Sequence, residues 1–118
     1  MKMTTDHLPA TPCDEEEDNM AMLFCTSASN DMFVMSRYPD ADELDIILND
    51  EPSSLDGVKV TLSPTRLLIE VAAEDTAVFN GDDHLEITHN TDASCLADVE
   101  QTLIILLNGT GTYVSELS

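Results

Sequence analysis

Two short segments in the middle of the chain carry large apolar residues at every second position. Residues 58–62 read Val-Lys-Val-Thr-Leu, and residues 67–71 read Leu-Leu-Ile-Glu-Val. A period of two turns one set of side chains toward the core and the other toward solvent, as in a β-strand. The two segments therefore predict two strands joined by a turn at residues 63–65.

Apolar runs closer to the amino end extend this pattern. Residues 20–26 and 32–37 flank a connector rich in serine, asparagine and aspartate, so they predict a β-hairpin. Residues 44–48 predict a third strand. Residues 49–57 include Pro52 and several other turn-forming residues, and they predict a loop.

One helix is predicted near the carboxyl end, from Ala93 to Leu107. Its large apolar residues recur at spacings of three and four, which aligns them along one side of a helix: Leu96, Val99, Leu103 and Leu106. Asp92 suits the N-cap position. Asn108-Gly109 supplies the stop, because glycine readily takes the left-handed conformation.

The order of these elements predicts an α+β fold. Residues 84–88 and 112–117 add a strand before and a strand after the helix. Short sequential connections favour antiparallel pairing, so we expect an antiparallel β-meander sheet of five to seven strands with the helix packed on one face. Residues 20–118 are predicted to form this single domain. Residues 1–19 are predicted to be a disordered acidic arm, because they contain two prolines and a run of five consecutive acids.

Charge narrows the classes of partner. The chain has 24 acidic residues against 4 basic ones, a formal net charge of −20. Such an excess aids solubility and speeds encounter with oppositely charged partners. Affinity for nucleic acid or for an anionic membrane comes from Lys and Arg, so direct binding to either is not expected. A basic protein is the expected partner, and a homodimer is left open.

The sequence carries no signature of catalysis or of a cofactor. The chain lacks a nucleophile elbow and a glycine-rich phosphate loop, and its histidines, cysteines and acids lack the spacing of a zinc or calcium site. We therefore expect no enzyme activity, no cofactor and no metal. The three cysteines, Cys13, Cys25 and Cys95, are expected to be free thiols in a reducing, cytoplasmic compartment. Cys95 adjoins the apolar stripe of the helix and is predicted to be buried.

The strongest indication of function is a stretch that contains seven acids and no base. Its acids are Asp40, Asp42, Glu43, Asp45, Asp50, Glu51 and Asp56. On a strand and its flanking loops they would present a ridge of carboxylates to the Lys and Arg residues of a partner. The alternative is a solvated edge that resists aggregation. Tyr38 and Phe33, next to this stretch, are the candidate apolar anchors, and core packing is the alternative for Phe33.

The order of elements over residues 20–115 resembles small bacterial immunity proteins. The resemblance lies in a strand meander through Phe33-Val34-Met35-Ser36-Arg37, an acidic strand, strands at 58–62 and 66–71, and a late helix. It implies a cytoplasmic inhibitor that binds a cognate toxin and blocks its active site. Two other functions stay open: an acidic chaperone for a secreted effector, and a nucleic-acid-mimicking inhibitor of a DNA-binding protein.

Overall fold

The computed structural model describes residues 2–6, 8–14, 20–27, 30–38, 42–55, 57–79 and 81–116. Within them the chain forms ten strands, one α-helix and one short 3-10 helix, Ala73–Val78. The strands and the helix are β1 (Lys2–Thr4), β2 (Ala10–Asp14), β3 (Met20–Thr26), β4 (Met32–Arg37), β5 (Leu44–Leu48), β6 (Glu51–Leu55), β7 (Val58–Leu62), β8 (Arg66–Glu70), β9 (His84–Thr88), α1 (Ala93–Leu107) and β10 (Gly111–Ser115). The predicted α+β class is confirmed.

The strands form two sheets of five strands rather than one meander. Sheet B has the order β2-β3-β4-β5-β6 and is antiparallel throughout. Sheet A has the order β1-β9-β8-β7-β10. Its three central strands are antiparallel, but β1 and β10 run parallel to their neighbours. The antiparallel prediction is therefore correct for sheet B and for the centre of sheet A, and wrong for the edges of sheet A.

The core lies between the inner faces of the two sheets. Alternate residues along the central strands are fully buried, among them Leu23 and Ile46 in sheet B and Val60 and Ile69 in sheet A. Phe33 of β4 lies against Phe79, with ring centroids 6.4 Å apart. Each large side chain buried in this way contributes about 1.5–3 kcal/mol through the hydrophobic effect.

Helix α1 connects β9 to β10. These two strands run parallel to each other and lie on either side of the β8–β7 pair. It contacts β2 and β3 of sheet B as well as β10 and β7 of sheet A, so it fills the space beside the edges of both sheets. Leu96, Val99 and Leu103 of its apolar stripe are buried there. Asp92 occupies the N-cap position, and Gly109 takes a φ of 79° just beyond the helix, as predicted.

Much of the predicted acidic arm takes part in the two sheets. β1 pairs with β9, and β2 pairs with β3. Met3 and Leu8 are 4% and 2% exposed. These apolar residues stand singly among polar ones, so periodicity does not reveal that each fills a place in the core. Residues 15–19, most of the acidic run, lie outside the described residues.

The loop predicted at residues 49–57 is wrong for Glu51–Leu55, which form β6. Asn49 and Asp50 have φ values of 50° and 70°. They connect β5 to β6 directly, because Leu48 pairs with Glu51. Two left-handed residues between paired strands are typical of a type I′ hairpin turn. The turn is therefore only two residues long. Pro52, which led to the prediction of a loop, lies on an edge strand, where proline is tolerated.

Candidate functional site

The outer face of sheet B is unusually apolar for a face that points to solvent. Met20, Met22 and Phe24 of β3 lie on it, with Val34 of β4 and Ile47 of β5, and all five side chains are half-buried. Phe24, Val34 and Ile47 stand side by side across three adjacent strands. Antiparallel sheets commonly place polar residues on the face that is not packed on the core. These five residues, with Tyr38, are called the apolar face below.

A shallow groove of about 610 Å³ runs over this face. Methionines line one part of it, Met20 and Met22, and Tyr38 stands beside them with 40% of its surface exposed. Methionine side chains are flexible and polarizable, so they adapt to irregular partners. Tyrosine combines a large apolar ring with a hydroxyl that can bond at a wet interface. The groove is therefore suited to a protein surface.

Three of the predicted acids lie together at one end of the β5–β6 hairpin. Asp42 and Glu43 are exposed just before β5, and Asp45 is half-buried on the outer face itself. The Ser54 hydroxyl donates a hydrogen bond to Asp45 Oδ1 at 2.8 Å. Asp45 also lines the groove. These three residues are called the first acidic group.

The next two predicted acids lie at the opposite end of the same hairpin. Asp50 is in the turn and Glu51 opens β6, and both are exposed. Asp31 joins them, because Asn49 donates from Nδ2 to Asp31 Oδ1 at 3.1 Å and accepts from the Met32 backbone N–H at 2.8 Å. Asp31, Asp50 and Glu51 are called the second acidic group.

The structure therefore divides the predicted ridge in two. Asp45 lies three residues before Leu48, the end of β5, so about 10 Å of strand separates it from the turn that holds Asp50. The apolar face lies between the two groups. Asp40 and Asp56 fall outside the described residues, and binding by any of the predicted acids or by Tyr38 stays a prediction. Phe33 is fully buried, so it packs in the core and does not serve as an exposed anchor.

The apolar face was not predicted from the sequence, although the sequence of β3 indicates it. Met20 to Cys25 is a continuous apolar run, with no polar residue at any second position. In a strand of an antiparallel sheet, such a run indicates that both faces of the strand are apolar. Only the inner set, Ala21, Leu23 and Cys25, is needed for the core.

The basic residues lie elsewhere. Lys2, Lys59 and Arg66 are on the outer face of sheet A, where the strand register places Lys2 opposite Glu86 and Lys59 opposite Glu70. Arg66 Nε lies 3.7 Å from Glu86 Oε1. Positive and negative charges are thus mixed on sheet A. The described acids that border the apolar face of sheet B have no such neighbours in sheet register.

Arg37, the fourth base, binds the end of the helix. Its Nη1 donates to the Ile105 carbonyl at 3.0 Å and to the Asn108 carbonyl. The last carbonyls of a helix lack intrahelical partners and carry partial negative charge, so a guanidinium there is favourable. Arg37 is therefore a structural residue that ties β4 to the carboxyl end of α1.

The two described free thiols differ in exposure. Cys25 is buried in the core, and burial raises its pKa to about 12, so it stays protonated at neutral pH. Cys95 is exposed, and the prediction that it is buried is wrong. Successive helix residues are about 100° apart, so the residue before Leu96 turns out of the apolar stripe. Cys95 lines a cleft of about 490 Å³ between α1 and the segment that enters β2.

Neither a metal cluster nor a membrane span is found in the described part of the chain. No group of three or more His, Cys, Asp or Glu side chains there is arranged to hold a metal ion. None of its helices combines the length and the apolar character that crossing a bilayer requires. Comparisons of the chain with family models, with curated proteins and with solved structures gave no match. Inferences about function therefore depend on the geometry above.

Proposed function

We propose that this chain is an acidic binding protein that captures and neutralises a basic protein through the outer face of sheet B. The observation that supports this most is a half-buried apolar face on the outer side of sheet B with carboxylates at both ends, on a chain of net charge −20. The resemblance noted in the sequence suggests the specific role: an immunity protein that acts in the cytoplasm against a cognate toxin.

The two kinds of surface would act at different stages of binding. Complementary charge raises the rate of encounter and rejects partners of the wrong sign. The acidic groups would thus set the association rate. Affinity in protein interfaces rests on a few buried apolar or aromatic anchors. Burial of Met22, Ile47 and Tyr38 would thus slow dissociation.

The arrangement of the acids bears on the kind of partner. A mimic of nucleic acid needs a regular row of charges that follows the spacing of phosphates. Here the described acids form two groups at opposite ends of the β5–β6 hairpin, with apolar side chains between them. This favours a basic protein with an apolar contact surface over a DNA-binding cleft. A secreted effector held by a chaperone would have the same chemistry, and identification of the partner distinguishes the two.

The first experiment isolates the partner from native lysate and then measures its binding kinetics. Between about 0.05 and 0.5 M NaCl we expect the association rate to fall by about tenfold or more, because salt screens attraction between exposed charges. The triple variant D42K/E43K/D45K should associate more slowly than E15K/E16K/E17K, which changes net charge by the same amount. Equal effects of the two triple variants, or an association rate that salt leaves unchanged, would contradict the proposal.

A second pair of variants tests the apolar contact. Ile47→Gln should raise the dissociation rate about tenfold, since one fully buried side chain is worth about 1.5–3 kcal/mol. Leu68→Gln is the matched control, because Leu68 is half-buried on the outer face of sheet A. A partner that dissociates equally fast from both variants would place the interface elsewhere.

A further inference from the structure

The four sheet edges differ in how well they are protected against pairing with another strand. β1 has only three residues. β2 contains Pro12 and a shift of register between Thr11 and Asp14. β6 begins with Glu51 followed by Pro52. Short strands, prolines, irregular register and charges are the devices that prevent edge pairing.

The remaining edge, β10, has none of these devices. Its sequence is Gly-Thr-Tyr-Val-Ser, and its five residues pair with β7 without interruption. It belongs to residues 101–115, the longest segment of the chain without a charged side chain. Gly111 lies so close to β7 that an added Cβ would stand 2.1 Å from the Val58 carbonyl oxygen. The strand is therefore held firmly on one side and open on the other.

The ladder shows which backbone groups face the open side. The Glu116 N–H donates to the Leu62 carbonyl at 2.8 Å, and the Thr110 carbonyl accepts from the Gly57 N–H. In a parallel ladder alternate residues bond to the same neighbour, so even-numbered residues of β10 face β7. The N–H and C=O groups of Gly111, Tyr113 and Ser115 then point outward. No strand of the described chain pairs with them.

An exposed apolar residue lies beside this edge. Ile104 of α1 is 51% exposed, and it borders a shallow depression together with Gly111 and Tyr113. The Tyr113 hydroxyl and the Ser115 hydroxyl both donate to Glu100 Oε2, at 2.9 and 2.7 Å. These bonds hold α1 alongside β10. If the added strand also has a helix beside it, that helix would therefore lie close to Ile104.

We propose that β10 is a homodimer interface, in which the same strand of a second copy pairs with it antiparallel about Tyr113. This register places Gly111 opposite Ser115 of the copy and Tyr113 opposite itself, so the outward groups of each strand bond in pairs. Sheet A becomes continuous across both copies, and the two Ile104 side chains approach each other. The apolar face of sheet B takes no part in it.

The distribution of charge favours this edge over the other three as the place where two copies meet. Two chains of charge −20 repel, so they meet most readily along a strand that carries no charge of its own. The carboxylate nearest the strand is that of Glu100 on α1, which accepts from the Tyr113 and Ser115 hydroxyls of its own chain. Along the strand itself the nearest acid is Glu116, three residues from the symmetry axis. The two Glu116 residues are thus about 20 Å apart along the strands, more than twice the Debye length of about 8 Å at physiological ionic strength. A basic partner would find no carboxylate on β10 itself, and the Glu100 carboxylate beside it already accepts two hydrogen bonds.

The dimer is tested by sedimentation of the full chain at low and high salt. We expect a monomer–dimer equilibrium that tightens as NaCl rises, because screening weakens repulsion between the copies. Amide hydrogen exchange at Tyr113 and Ser115 should slow as protein concentration rises. A monomer up to about 0.5 mM protein in high salt, or concentration-dependent protection at another edge instead, would overturn the proposal.

Two matched pairs of variants locate the contact. Ser115→Pro removes an outward N–H, whereas Ser115→Ala removes the same hydroxyl and keeps that N–H. Ile104→Lys places a charge in the interface, whereas Thr65→Lys places it in the exposed turn between β7 and β8. We expect the first member of each pair to raise the dimer Kd about tenfold more than the second. Equal Kd values within both pairs would overturn the proposal, and the exchange measurement on the unmodified chain is independent of whether any variant folds.

Discussion

His89 connects three segments that are far apart in the sequence. Its side chain is buried, and its Nε2 donates to the Ser63 carbonyl at 3.2 Å. Its Nδ1 accepts from the Thr91 hydroxyl at 2.9 Å, and that hydroxyl oxygen accepts from the Leu8 N–H at 3.1 Å. A neutral ring with its proton on Nε2 satisfies every bond. The imidazole therefore joins the β7–β8 turn, the entry to α1 and the segment before β2.

Protonation of His89 should weaken the fold. Burial lowers the pKa of His89, so the unfolded chain takes up a proton at a higher pH than the folded one. The free energy of unfolding should then fall as pH drops below about 6.5, the ordinary histidine value, until the lowered folded pKa is passed. Urea unfolding at several pH values between 7.5 and 5 measures this, above the range in which ordinary carboxylates titrate.

The control is His89→Gln, which keeps a donor for Ser63 and does not titrate. Its free energy of unfolding should change less with pH over the same range. The same slope in both proteins would assign the effect to other groups.

At the scale of elements, Arg37 links the stability of β4 to that of the carboxyl end of α1. Arg37→Gln should lower the free energy of unfolding by about 1–3 kcal/mol, because two carbonyls lose a charged donor. Arg66→Gln removes the same charge from the surface pair with Glu86, and such pairs are worth about 1 kcal/mol or less. Chemical denaturation of both variants checks the difference. Equal losses would mean that Arg37 acts only through net charge.

The elements that could be predicted from the sequence are those whose core side chains repeat regularly. β7, β8 and β9 each present two or three buried residues at a period of two, and α1 presents its stripe at three and four. β1 and β6 each bury only one large side chain, Met3 and Leu55, so no period exists to be detected. Pairing into two sheets depends on contacts between distant segments, which local patterns do not encode.

The candidate site was predictable only in part, for a similar reason. The acids of residues 40–56 follow one another in the sequence, so the stretch is visible there. Its division into two groups depends on the Asn49–Asp50 turn, which reverses the chain and sends β6 back along β5. The apolar face draws residues from three strands. Its members become neighbours only through the register of Phe24, Val34 and Ile47.

At the scale of the whole molecule, charge is distributed unevenly around a small body. The radius of gyration is 13.0 Å, so most of the 24 acids are within a few Debye lengths of one another. The outer face of sheet A mixes Lys2, Lys59 and Arg66 with acids. Excess negative charge is therefore concentrated away from that face. Repulsion among these carboxylates opposes folding, because the folded chain holds them closer together than the unfolded chain does.

Salt should therefore act in opposite directions on folding and on partner capture. Between about 0.02 and 0.5 M NaCl we expect the free energy of unfolding to rise by more than about 1 kcal/mol, since screening relieves repulsion within the folded chain. The variant D42N/E43Q/E74Q removes three exposed charges, so it should be more stable than the original chain at low salt and should gain less from added salt. Chemical denaturation of both proteins across the salt series measures the two slopes. A different result is that capture of a basic partner slows with salt while the free energy of unfolding stays constant. This would mean that the carboxylates are spaced widely enough to attract a partner without repelling one another.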